Sequence, residues 1–102
     1  MAASDFPQKK QGWSDSENEL AIDAYFDMLH WERTGRPFVK AEVNRHVQSQ
    51  LPGRSRGAIE FKFQNISAVL NDANYPIVTG YKPLRNYQQS LQEQVLARVD
   101  SD

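Results

Sequence analysis

The sequence predicts an all-α fold of four helices, and three observations predict it. Apolar residues recur at steps of three and four over four separate stretches. Helix-starting and helix-ending residues bracket those stretches. The one extended candidate, Ile77-Val78, is too short to build a sheet. At 102 residues the chain has room for one domain with a single modest core, and too little for a catalytic domain with a separate substrate domain.

Residues 1–12 are small and polar and read as a disordered tail ahead of one helical domain over 13–102. Ser14-Asp15-Ser16-Glu17 has the capping-box pattern, repeated from Ser16 to Glu19, and its acids suit the positive end of a helix dipole. Helix 1 is expected over about 14–33. Its apolar residues run from Leu20 and Ile22 through Tyr25 and Phe26 to Leu29 and Trp31, and leave a polar stripe at Glu19, Asp23, Asp27 and His30. So wide an apolar arc needs neighbours on two sides, which predicts helix 1 as the most buried element, between the central helix and the last one. Thr34-Gly35-Arg36-Pro37 ends it, with glycine at the close and proline beyond.

A second helix over about 40–51 has Val43, Val47 and Leu51 on one face and is the weakest of the four by pattern. Pro52-Gly53 then breaks the chain, and Ser55 is placed to cap a third helix over about 55–71. Its apolar positions are Ile59, Phe63, Ile66 and Leu70. Asn71 to Arg85 reads as an ordered loop with two prolines, a glycine and two tyrosines. The fourth helix, about 86–99, carries Tyr87, Leu91, Val95 and Val99 as one stripe to cover the second apolar side of helix 1.

With 39% apolar and 25% charged residues the composition is that of an ordinary globular protein. No apolar run approaches the roughly 20 residues of a membrane span, and the start of the chain lacks the apolar core of a signal peptide. The expectation is therefore a cytoplasmic bacterial or otherwise intracellular protein with no membrane partner. The absence of cysteine excludes disulfides, zinc knuckles and thiol catalysis. His30 and His46 have no metal-ligand spacing, Ser67 and Ser90 no nucleophile-elbow glycines, and neither a phosphate loop nor an HNH metal motif is present. No enzyme activity, cofactor, metal or small-molecule substrate is expected of these residues.

Charge is divided along the chain. From Trp13 to Gly35 six acids face only Arg33, whereas from Arg36 to Arg85 eight bases face three acids, although the whole chain nets −1. One side of the fold can thus be basic without strong nonspecific affinity for polyanions. The third helix carries Arg56, Glu60, Lys62, Gln64 and Asn65 away from its apolar stripe, groups that bind phosphates or base edges. Any surface helix of a small bundle also shows a polar face. Tyr75, Tyr81, Lys82 and Arg85 in the following loop suit stacking on a base or clamping a backbone, and equally suit anchoring the loop to the core.

Two segments carry a resemblance: Trp13-Ser14-x-x-Glu17 followed by Leu20-Ala21, and Leu51-Pro52-Gly53-Arg54-Ser55-x-x-Ala58-Ile59 with Phe63-Gln64-Asn65. Together, over about residues 13–70, they resemble the Myb/SANT repeat, a three-helix variant of the helix-turn-helix. The central stretch is also similar to the amino-terminal module found ahead of HNH-type nuclease domains in bacterial proteins. The resemblance implies a helix-turn-helix-like core with the fourth helix added, and base readout from the first two turns of the third helix, at Arg56, Gly57 and Glu60. Gly57 has no side chain to read with, and Glu60 accepts from cytosine but repels phosphate. The link between helices 1 and 2 is longer than in a Myb repeat, and Asn44 stands where the family has its second aromatic core residue, a gap that Trp31 is expected to fill.

The expected function is a double-stranded DNA-binding module, a possible targeting domain of a larger nuclease. Arg56 and Lys62 are expected to face the groove, with Gln64 or Asn65 assisting. Lys40, Arg45 and Arg54 are assigned to phosphates, Ser55 in the turn is counted with them as a DNA contact, and Tyr81, Lys82 and Arg85 are assigned to an accessory contact. The alternative is a SANT-like protein-interaction module using the acidic face of helix 1 or the tyrosine loop.

Overall fold

The computed structural model describes residues 12–101, so the tail expected over 1–12 lies, apart from Gly12, outside the described residues. Among the described residues there are four helices and no strand: α1 (Asp15–Arg33), α2 (Lys40–Gln50), α3 (Arg56–Asp72) and α4 (Gln89–Ser101). The all-α reading holds. No described helix is long and apolar enough to cross a membrane.

Local chemistry sets most helix ends. Ser14 caps α1 reciprocally: the Glu17 amide donates to Ser14 Oγ (3.1 Å) and the Ser14 amide to Glu17 Oε1 (2.9 Å). At the other end Gly35 takes φ 76°, which lets the Arg36 amide reach back to the Trp31 carbonyl at 2.8 Å. The Arg54 amide donates to the Leu51 carbonyl (2.9 Å) and closes the Pro-Gly turn, and Ser55 Oγ accepts from the Ala58 amide (3.1 Å) to start α3. α2 has no side-chain cap at Val39, in keeping with its weak pattern, and depends on burial of Val47 and Leu51.

α1 and α3 each pack on all three other helices, and α2 and α4, which do not touch each other, flank that pair. α3 rather than α1 is the most buried helix, with eight of its 17 residues buried against six of 19. The cause is the segment between α3 and α4, which lies along α3 and covers its outer side. There Val78 is fully buried, and its amide donates to Tyr25 Oη (2.9 Å), which is also 2.6 Å from Ser67 Oγ. The Leu84 amide donates to the Gln64 carbonyl (3.1 Å) and Asn65 Nδ2 to the Leu84 carbonyl (2.5 Å).

α4 starts at Gln89, three residues later than expected, because Asn86 takes φ 74° and turns the chain before the helix. Leu91 and Val95 of the expected stripe are fully buried, each contributing about 1.5–3 kcal/mol by leaving water. Part of the polar stripe on α1 serves the same seam. Glu19 and Asp23 both pair with Arg98, and Asn18, fully buried, donates to Gln94 Oε1 at 2.9 Å.

Candidate nucleic-acid interface

The outer face of α3 follows the helical repeat through Arg56, Gly57, Glu60, Phe61 and Gln64. The loop closes its later part: besides the bonds to Leu84, Gln64 Nε2 donates to the Lys82 carbonyl at 3.4 Å, and Ala68 is left 1% exposed. At the start of the helix this face stays open, with Arg56, Gly57, Glu60 and Phe61 all exposed, and beyond the loop Asn71 and Asp72 at its end are exposed again. Phe61 is 60% exposed, an unusual position for an aromatic.

Two amides of α2 set the angle at which this segment is presented. Asn44 Nδ2 donates to the Arg56 carbonyl (3.2 Å) and Gln48 Nε2 to the Arg54 carbonyl (3.4 Å). Asn44 is thus no gap: it is 4% exposed and holds the start of α3, while its Oδ1 has no partner. Trp31 does not replace it in that role. It is half-buried, packs on Phe38 with ring centroids 5.7 Å apart, and carries the Arg36 guanidinium 5.1 Å from its own centroid.

On one side of the open turn stands Tyr81, 4% exposed, packed on Phe63 (5.2 Å) and Tyr25 (6.4 Å). Burial, and then the Glu60 carboxylate, push its hydroxyl up to about 12, so it stays neutral at every physiological pH. The Lys40 ammonium lies 5.7 Å from the Tyr81 ring centre. Gly80 makes room for it: its φ is 98°, and a Cβ there would sit 2.9 Å from Lys40 Nζ. Lys40 and Arg56 are therefore brought to Tyr81, with Lys82 next to it in sequence and exposed, and Arg45 exposed on α2 beside Asn44 in sequence. Among the described residues Lys40, Arg45, Arg56 and Lys82 form no ion pair.

The other expected site residues lie elsewhere or do other work. Lys62, expected on the open face, is 6% exposed, sits 4.7 Å from the Trp13 ring centre and donates to Gln88 Oε1 (3.2 Å). Burial, and then the neighbouring Arg54 charge, bring its pKa down from 10.5 to about 8. Arg54, expected on a phosphate, covers the same Trp13 ring (5.0 Å) and grips Glu17 through Nε (3.1 Å) and Nη2 (2.8 Å). That bond holds the Glu17 carboxyl below its usual range. Arg85 pairs with Asp72 (2.9 Å) at the far end of α3, Gln64 and Asn65 hold the loop, and Ser55 is occupied as a cap.

Comparison with protein-family models, with curated proteins and with solved structures finds no match.

Two features escaped the sequence reading. Phe61 carried a signal, since it stands two positions after Ile59 and off the buried stripe, where a polar residue belongs. The stacking of Arg54 and Lys62 on Trp13 had none, because it joins residues about 40 to 50 positions apart. A second concave surface, about 330 Å³, lies between α1 and α2 and is walled by Trp31, Phe38 and Val43 with Asp27, Glu42 and His46 at its rim.

Proposed function

We propose that the chain is a DNA-binding module that presents the first turn and a half of α3 to a duplex. The observation that carries this reading is the pairing of an open α3 start with four cations, Lys40, Arg45, Arg56 and Lys82, on the elements that frame it and free of ion pairs among the described residues. Further along, at Gln64, Asn65 and Ala68, the loop covers the outer side of α3. Arg56 is the base-reading cation, able to fork onto guanine, and Lys40, Arg45 and Lys82 answer to phosphates. The resemblance to the module ahead of HNH-type nuclease domains extends the proposal to a targeting role within a larger nuclease.

The test is salt. With four cations on the duplex, log affinity falls against log salt with a slope of about −3 to −4. Fluorescence anisotropy on a labelled duplex between ~50 and ~200 mM salt reads it. No duplex binding at ~50 mM salt and micromolar protein refutes the proposal. It would favour the second reading, a SANT-like protein-interaction module, for which the aromatic hollow between α1 and α2 is the supporting observation.

A further inference from the structure

A hollow of about 370 Å³ lies where Trp13 meets α3 and the segment ahead of α4. Trp13, Ala58 and Phe61 give it apolar walls, and Lys62, Asn86 and Gln88 line it with polar groups. Its volume is that of a small-molecule site. Lys62 is the unusual member. The residue is 6% exposed, and among the described residues its ammonium has one acceptor, Gln88 Oε1 at 3.2 Å, and no carboxylate partner. An ammonium has three donors to satisfy, and a buried one is normally paired. The Trp13 ring, 4.7 Å from Nζ at its centre, attracts the charge without supplying a counterion. Burial and then the Arg54 charge work against the ammonium, and of the charged groups near it only Glu17 works for it. Glu17 is itself gripped by Arg54, through bonds of 3.1 and 2.8 Å.

Charge and shape together name the missing partner. Arg54 and Lys62 carry two positive charges and Glu17 one negative, so the cluster keeps one positive charge, enough for a monoanion, while Glu17 repels a dianion. Asn86, whose side chain makes no hydrogen bond among the described residues, adds an amide donor to the same lining. An ammonium and an amide suit the two oxygens of a carboxylate. Ala58 and the solvent-open ring of Phe61 then border the body that carries the acid, and a flat ring stacks there with little freedom to lose. We infer that this hollow binds an aromatic carboxylate, its acid group on Lys62 and Asn86 and its ring against Ala58 and Phe61. The inference goes beyond the DNA-binding reading and does not rest on it.

The experiment titrates the full chain at pH 7 and fixed ionic strength with benzoate, with its uncharged counterpart benzamide, and with acetate, following the side-chain amide NMR signals of Asn86 and Gln88. Benzoate should move both signals to saturation with a Kd of about 1–5 mM, the range open to so small a ligand. Benzamide lacks the charge and acetate lacks the ring, and each should bind at least about tenfold more weakly. Lys62→Met, whose fold is checked by its thermal melt, should take benzoate no better than benzamide. Should that variant not fold, the three probes on the wild type still decide the matter. No saturation by benzoate up to ~20 mM overturns the inference. So does equal affinity of the wild type for benzoate and benzamide, or a folded Lys62→Met protein that keeps the preference for benzoate. Acetate binding as tightly as benzoate overturns the aromatic body of the ligand.

Discussion

Lys62 supplies the sharpest test of how the α3 face is divided between core and partner. Lys62 is 6% exposed, and its ammonium lies over Trp13 and reaches one acceptor, Gln88 Oε1, so replacing it with methionine keeps the apolar stem and removes a buried charge. The pKa drop from 10.5 to about 8 gives the magnitude. At about 1.4 kcal/mol per tenfold change in proton affinity, holding Lys62 charged at neutral pH costs about 3 kcal/mol relative to the neutral side chain. The lost contact with the Trp13 face, about 1 kcal/mol, offsets part of this. Lys62→Met should therefore be more stable than the wild type at pH 7 by about 1–2 kcal/mol, which raises Tm by about 5–15 °C. The pH dependence has a defined sign. Because the folded-state pKa is the lower one, the unfolded chain binds more protons between about 8 and 10.5, and wild-type stability rises with pH across that window. Near pH 10 the raised Tyr25 and Tyr81 hydroxyls act in the opposite sense, since the unfolded chain then releases protons that the folded one keeps. Urea unfolding at pH 7, 8 and 9.5, followed by circular dichroism, separates these effects. A wild-type stability that is flat from pH 7 to 9.5, or a Lys62→Met protein weaker than the wild type at both ends, refutes the reasoning and returns Lys62 to the set of cations that meet DNA.

Arg54→Ala should act through folding: it loses two charge-assisted bonds to Glu17 and the stack on Trp13, costing about 2 kcal/mol in a thermal melt at pH 7. Since the Glu17 carboxyl is held below its usual 4.5, the wild-type advantage is full above that pH and shrinks as pH falls through the folded value. An Arg54→Ala protein that melts like the wild type removes the basis for this assignment. Tyr25→Phe should cost about 1–3 kcal/mol by orphaning the Val78 amide and Ser67, and faster hydrogen exchange at Val78 is the local readout.

The helices were legible from short-range chemistry. Ser14 with Glu17, Gly35 with Pro37, and Pro52-Gly53 with Ser55 act within a few residues of themselves, so capping and turn geometry follow from their order in the chain. The periodic stripe of Ile59, Phe63, Ile66 and Leu70 named the buried side of α3 for the same reason. The late start of α4 was not legible, because the left-handed turn at Asn86 has no obligate sequence signal. Which polar side chains would stay open could not be read from spacing either. Lys62, Arg54, Gln64 and Asn65 resemble Arg56 and Glu60 until the loop and Trp13 fold onto them, and only the packing of segments distant in sequence decides which hydrogen-bonding groups are used up inside the protein. Periodicity records which side of a helix is apolar. What covers the other side is a property of the whole chain, and here it leaves Arg56, Gly57, Glu60 and Phe61 exposed at the start of α3 while the loop takes Gln64 and Asn65.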